Sequence, residues 1–234
     1  MSGTLHGLGL GPGDPELITL RSWRVISLAP VIAYPEGPSG RSRVRSIAAP
    51  FMPDDVEELP LSIPFGATGA VLEDAYDRAA AIISARLDEG KDVALLCLGD
   101  PLTYGTFGKL AARLARSHPV RVTPGISAPQ AAAARVGRTL VEGNQPLKLL
   151  PATMDEDMLL AECMNRHAAL AILKVGENLS RVCDALVRSG RLDQALVVEE
   201  LDGADERVLP LREALSSADG EARYFSLVLV WPRA

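Results

Sequence analysis

Residues 92–98, DVALLCL, constrain the fold more than any other stretch. An apolar run with no alternation needs cover on both faces, the situation of a central strand in a parallel sheet. The run ends at Gly99-Asp100-Pro101, and proline has no N–H with which to continue a ladder. The same plan recurs along the first half of the chain. TLHGLGLG (4–11) reads as a buried strand entering a glycine turn, VIAYP (31–35) as a short strand, and VRVTPG (120–125) as another. Between them lie helical patterns. Asp14 can cap a helix opened by Pro15, with Thr19 a second cap further on. Val71, Ala75, Ala79, Ile82 and Ile83 recur at helical spacing before Gly90, and Phe107, Leu110, Ala111 and Leu114 mark the next helix. EGPSGRSRVRS (36–46) and IPFGATG (63–69) read as polar loops. Alternating strands and helices imply an α/β fold with a mainly parallel sheet.

After Gly125 the pattern changes. ISAPQAAAARVG (126–137) is a short helix with Ser127 as cap and Gly137 as stop. Four strands follow, LKLLPAT, LAILKVG, ALVVEEL and YFSLVLVW, with helices at 155–166 and 178–189; residues 199–211 resemble a strand pair. This gives a second domain with a mixed sheet, so that the division expected is 1–121 and 122–234.

Composition narrows the function classes. The chain has 234 residues and a net charge of −6, which argues against nucleic acid as the principal partner. Three cysteines and three histidines lie scattered, and their spacings match no metal or redox motif. No apolar run reaches the length of a membrane span, and the N-terminus lacks a signal peptide pattern. The expectation is a cytoplasmic protein with no membrane, metal or nucleic-acid partner.

The first glycine turn, LGLGPGDP (8–15), has the glycine density of a phosphate-binding loop. Gly7 and Gly9 fit the first two positions of G-x-G-x-x-G, but Pro12 takes the third and has no N–H to offer. Asp14 adds negative charge where an anion would bind. No G-K-[ST] follows, so the phosphate reading fails. Taken singly, such a turn needs no ligand. Three of them, GPGDP, LGDP and TPGIS, each following a strand, can open on one edge of a parallel sheet and together favour a preformed pocket.

The set GLGPGDPELITL, GDPLTYG and TPGIS resembles the tetrapyrrole methylases over essentially the whole chain. YP at 34–35, LPAT at 150–153, SGRLDQALVVEE and YFSLVLV point further, to a subgroup acting in cobalamin biosynthesis. The resemblance implies two α/β domains, S-adenosyl-L-methionine held in a cleft between them, and a homodimer. Residue by residue it implies cofactor contacts from Pro12, Gly99, Asp100, Pro101, Thr103, Tyr104, Ser127 and Ala128. It adds Val175, Leu201 and Ser226 from the second domain. Leu98 and Thr103 depart from the subgroup's usual glutamate and aromatic residue, which affects fine details of cofactor contact. A sulfonium offers no hydrogen-bond donor and suits carbonyl oxygens and a carboxylate in a dry pocket.

The implied substrate is a tetrapyrrole with many carboxylates. Arg41, Arg43 and Arg45 would lie on one side of an extended segment and could grip those arms, beside Tyr34. Methyl transfer to carbon also needs a proton acceptor; Asp100, Tyr34, Tyr104 and water are all open. The rival readings are another tetrapyrrole methylase, a nucleotide-dependent oxidoreductase, which Pro12 disfavours, and a silent scaffold of the same fold.

Overall fold

The computed structural model describes residues 2–37, 39–64, 66–214 and 222–232, which form two compact units, Met1–Ser127 and Ala128–Ala234. The first unit is built on strands β1 (Leu5–Gly9), β2 (Val31–Glu36), β3 (Glu57–Ser62), β4 (Val93–Cys97) and β5 (Val120–Thr123). They form one sheet in the order β3-β2-β4-β1-β5, and every pairing is parallel. Two helices, α1 (Leu20–Leu28) and α2 (Arg43–Ala48), cover one face. There Ile26, Val44 and Ile47 pack on Leu8, Ile32, Ala94 and Leu96. Helices α3 (Gly69–Asp88) and α4 (Phe107–Leu114) cover the other, with Tyr76, Ile83, Phe107 and Leu110 on Leu5, Val31, Val93 and Leu95. All of β4 is buried, as its unbroken apolar run requires.

Local signals in the sequence place most of these elements. Asp14 caps only a short 3-10 turn, Pro15–Leu17, while Thr19 caps α1 by accepting from Ser22 N–H. Two elements differ from the sequence reading. Residues 57–62, EELPLS, form β3 at the sheet edge, where Pro60 is tolerated; two leading glutamates and a proline between leucines hid the strand. Residues 43–48, read as part of a loop, form α2, with Ser42 Oγ accepting from Arg45 N–H as its cap. The one-sided alternation expected of Arg41, Arg43 and Arg45 therefore does not arise, because α2 puts the latter two on a helix.

The second unit is a five-stranded mixed sheet in the order β6-β7-β10-β8-β9. Its strands are β6 (Leu147–Pro151), β7 (Ala169–Leu173), β8 (Ala195–Glu199), β9 (Arg207–Pro210) and β10 (Ser226–Val230). The β6–β7 pair is parallel and the other three pairs are antiparallel. Helices α6 (Glu156–Met164) and α7 (Leu179–Arg188) pack with Leu170, Ile172, Val197 and Val228 on one face. The helix α5 (Ala128–Val136) lies on the other with Val198, Leu227 and Leu229. A short α8 (Leu211–Ala214) follows β9. The units divide at Ser127/Ala128, six residues beyond the boundary expected from sequence, because β5 runs to Thr123 and pairs with β1 of the first sheet. Among the described residues no helix is long and apolar enough to cross a membrane, and no group of three His, Cys, Asp or Glu side chains is placed to hold a metal.

Candidate functional site

In a parallel sheet all strands leave from the same edge, so β4, β1 and β5, neighbours in the sheet, deliver the three proline-glycine turns side by side. The turns interlock through backbone. Leu10 N–H donates to Cys97 C=O at 3.0 Å and Gly99 N–H to Gly11 C=O at 2.8 Å, which ties the first turn to the second. Gly125 N–H donates to Asp100 Oδ2 at 3.2 Å, which ties the third to the second.

Glycine is required here for lack of space. A Cβ on Gly9 would lie 2.8 Å from Gly99 O and one on Gly125 would lie 2.7 Å from Gly9 Cα, distances no real Cβ tolerates against backbone. One on Gly7 would meet the Phe107 ring at 2.7 Å. The glycines that imitate a dinucleotide fingerprint thus serve packing, between turns at Gly9 and under an aromatic ring at Gly7. Gly99 is different. Its φ of +65° is a left-handed conformation suited to glycine, and a Cβ there would find nothing nearer than Ile126 O and Ser127 Cα at 4.0 Å. The third turn thus reaches Gly99 at van der Waals distance without crowding it.

Asp100 holds the junction with both carboxylate oxygens: Oδ2 accepts from Gly125, and Oδ1 from Leu102 N–H at 2.9 Å and from Thr103 Oγ1 at 3.5 Å. Tyr104 is half exposed with a φ of +53°, a strained backbone for a bulky residue. Pro12, Gly99, Asp100, Pro101, Thr103, Tyr104 and Ser127 therefore belong to one junction of the first unit, while Ala128 opens the second unit at the start of α5.

The remaining first-unit candidates are placed by α2. Arg43 Nη2 donates to Pro12 O at 3.3 Å, so this arginine reaches the first turn. Arg45 grips Glu58 of β3 with two nearly parallel bonds, Nε–Oε2 at 2.9 Å and Nη2–Oε1 at 2.8 Å. Tyr34, buried at the end of β2, joins this pair. Burial first, and then the hydrogen bond with Glu58, push its phenol above the ordinary tyrosine range. Arg45, followed by a weaker Tyr34 hydrogen bond, holds the Glu58 carboxyl below its usual range, and Glu58 raises the Arg45 guanidinium in return. Tyr34 and Arg45 are thus engaged with Glu58 beside α2. Arg41 is exposed and makes no side-chain ion pair among the described residues.

In the second unit Val175, Leu201 and Ser226 meet at one end of the sheet, because antiparallel β10 begins where β7 and β8 finish. Val175 and Leu201 are buried in the two cores, and Ser226 Oγ donates to Arg223 O at 2.5 Å. This end carries three non-glycine residues with positive φ, Lys174, Glu200 and Asp202. Sequence reasoning missed Glu199, a buried carboxylate that closes β8. Its Oε1 accepts from Arg223 N–H at 3.2 Å, and its Oε2 lies 3.3 Å from Arg207 Nη1. The available signal was an acidic residue directly following a β-branched buried run.

Residues 4–215 match the model of the tetrapyrrole (corrin/porphyrin) methylases. A relative from Sinorhizobium sp. named precorrin-2 C(20)-methyltransferase is 41% identical, with 97% of this chain and 95% of that protein covered. The Mycobacterium tuberculosis cobalamin biosynthesis protein CobIJ is 40% identical over 97% of this chain, and the chain spans 46% of its length. Among solved structures, the uroporphyrin-III C-methyl transferase of Thermus thermophilus complexed with S-adenosyl homocysteine superposes with a TM-score of 0.69. That match has 23% identity and covers 98% of this chain and 97% of the other, a likeness of fold. The extent of these matches and the interlocked turns lead to one conclusion: this chain belongs to the tetrapyrrole methylase family.

Proposed function

We propose that the chain transfers a methyl group from S-adenosyl-L-methionine to the C-20 meso carbon of precorrin-2, or of its cobalt complex, in cobalamin biosynthesis. The observation that carries the reading is the turn junction of the first unit, considered with the 41% identical relative. The junction suits the cofactor in two respects. Gly99 is uncrowded, with nothing nearer than 4.0 Å to a Cβ there, and Pro12 and Pro101 withhold the N–H groups that a phosphate would demand.

When bound, S-adenosyl-L-methionine supplies an electrophilic methyl group. The protein's part is to hold the acceptor carbon in line and to exclude water, which in favourable cases supplies roughly 7–11 kcal/mol of barrier reduction. In this reading Gly99, Pro101, Thr103, Tyr104 and Ser127 line the cofactor, and Pro12 flanks it. Asp100 acts as a positioning residue, since its oxygens are occupied by protein donors. Ala128, Val175, Leu201 and Ser226 keep the contacts that the resemblance assigns. Arg41 is the arginine best suited to a substrate carboxylate, because Arg45 is held by Glu58 and Arg43 leans on Pro12. The working form is a cytoplasmic homodimer.

The test is direct. The protein is incubated with labelled S-adenosyl-L-methionine and, separately, precorrin-2, cobalt-precorrin-2, uroporphyrinogen III and precorrin-4. Methylation of the first or second at C-20 is expected; methylation of either of the others alone would establish a different member's activity, and binding of a pyridine nucleotide instead would overturn the reading altogether.

A further inference from the structure

A cavity on the first unit lies beside the turn junction without including its residues. Where β5 forms the sheet edge, α1 does not fully cover the sheet, leaving a cavity of about 430 Å³ lined by His6, Arg21, Val25, Arg121, Val122 and Thr123. His6, Arg121 and Thr123 come from β1 and β5, which pair so that His6 stands opposite Arg121; Arg21 and Val25 come from α1, one turn apart. Val25 and Val122 give the cavity an apolar part.

The charges are unusual for this molecule. The chain is acidic overall, and most of its arginines are engaged by carboxylates or carbonyls, as at Arg45, Arg113, Arg191 and Arg212. Arg21 and Arg121 are exposed, and among the described residues neither guanidinium has an ion pair or hydrogen bond. The nearest acidic partner of a lining residue is Asp92, whose Oδ2 lies 3.3 Å from His6 Nε2; Asp92 also accepts from Thr4 N–H at 2.7 Å. Two unpaired guanidiniums from separate elements beside a partly apolar cavity form the recognition chemistry for a small polyanion.

We propose that this cavity binds a small polyanion through Arg21 and Arg121, bridging α1 to β5. The ligand's acidic groups are carboxylates or phosphate oxygens, which arginine recognises alike. Such a ligand would touch both elements that serve the junction. Next to Arg21, Ser22 Oγ donates to Gly9 O at 3.1 Å, and Thr123 immediately precedes the third turn.

The experiment titrates citrate and pyrophosphate separately into the full chain by calorimetry at low ionic strength, without methyl donor, so that its outcome is independent of the proposed methylation. One equivalent of at least one anion is expected to bind. Arg21→Gln and Arg121→Gln should each weaken it about tenfold, as expected for loss of one charge-assisted contact. Arg78→Gln, at an exposed arginine of α3 that has no ion pair or hydrogen bond among the described residues, should leave it unchanged. Tighter citrate assigns carboxylates and tighter pyrophosphate assigns phosphate. Trp23 fluorescence, from the same helix as Arg21, should change on binding. Lack of binding of both anions at millimolar concentration, retention of binding when Arg21→Gln and Arg121→Gln are combined, or equal loss in Arg78→Gln overturns the proposal.

Discussion

Replacing Arg191 by methionine should destabilise the second unit by about 3–5 kcal/mol, the scale for leaving several buried carbonyls without their donor. Arg191 is fully buried, yet among the described residues no carboxylate forms an ion pair with it. Its guanidinium instead donates to four carbonyls. Nη1 reaches Cys163 O at 3.3 Å and Asn165 O at 2.8 Å; Nη2 reaches Ala168 O at 2.7 Å and Trp231 O at 3.1 Å. These acceptors lie at the end of α6, at the start of β7 and just beyond β10, so one side chain joins three segments. At about 1.5–3 kcal/mol each, four hydrogen bonds to a charged group would contribute roughly 6–12 kcal/mol if they were additive. Burial of the charge opposes that sum, and it also depresses the guanidinium's pKa. Methionine keeps part of the apolar stem but leaves the four carbonyls without this donor.

The assay is urea unfolding followed by Trp231 fluorescence in a Trp23→Phe background, which confines the signal to the second unit. Arg191→Lys supplies the sign test. A lysine there keeps a charge but cannot serve four carbonyls, so burial should depress its folded-state pKa below the unfolded value of about 10.4. Between the two values the unfolded chain binds more protons, so stability must rise with pH, by up to about 1.4 kcal/mol per unit, relative to the methionine variant. A loss below about 1 kcal/mol in Arg191→Met, or parallel pH profiles for the two variants, would refute the argument that the buried guanidinium organises this unit.

Gly125→Ala should cost at least about 1–3 kcal/mol and abolish S-adenosylhomocysteine binding, because its Cβ meets Gly9 backbone. Gly108→Ala in α4, with nothing within 4 Å, should instead stabilise by about 0.5–1 kcal/mol; thermal unfolding and calorimetry read both. The Arg45 hydrogen bond holds the Glu58 carboxyl below 4.5, so its stabilisation is complete above that value and is lost as pH falls through the lowered one. Glu58→Gln should flatten that part of the acid limb of a melting-temperature profile, and an unchanged limb would discount the pair. Burial pushes the Cys97 thiol up to about 12 and Cys163 to about 11, so none of the three buried cysteines should react with a thiol reagent at neutral pH until the chain unfolds.

Strands buried on both faces were legible because their apolar runs leave no other cover, and helix ends because Thr19 and Gly137 punctuate them. The edge strand β3 and helix α2 were not. EELPLS alternates only over its last four residues and a proline interrupts it, and α2 is too short for a period to show. The same blindness misread the arginines: whether Arg45 faces a ligand or Glu58 depends on which strand lies beside α2.

By itself the sequence determined the class of fold, the two sheets and the three stiffened turns, since burial pattern, proline and glycine act locally on the backbone. Only the tertiary structure decided that Gly9, Gly99 and Gly125 meet, that Asp100 is occupied in joining two turns, and that Arg21 stands with Arg121 over a shared cavity. Those facts depend on strand order, which places β4, β1 and β5 together although long stretches of chain separate them. Long-range adjacency of this kind is a result of packing, and no local propensity encodes it.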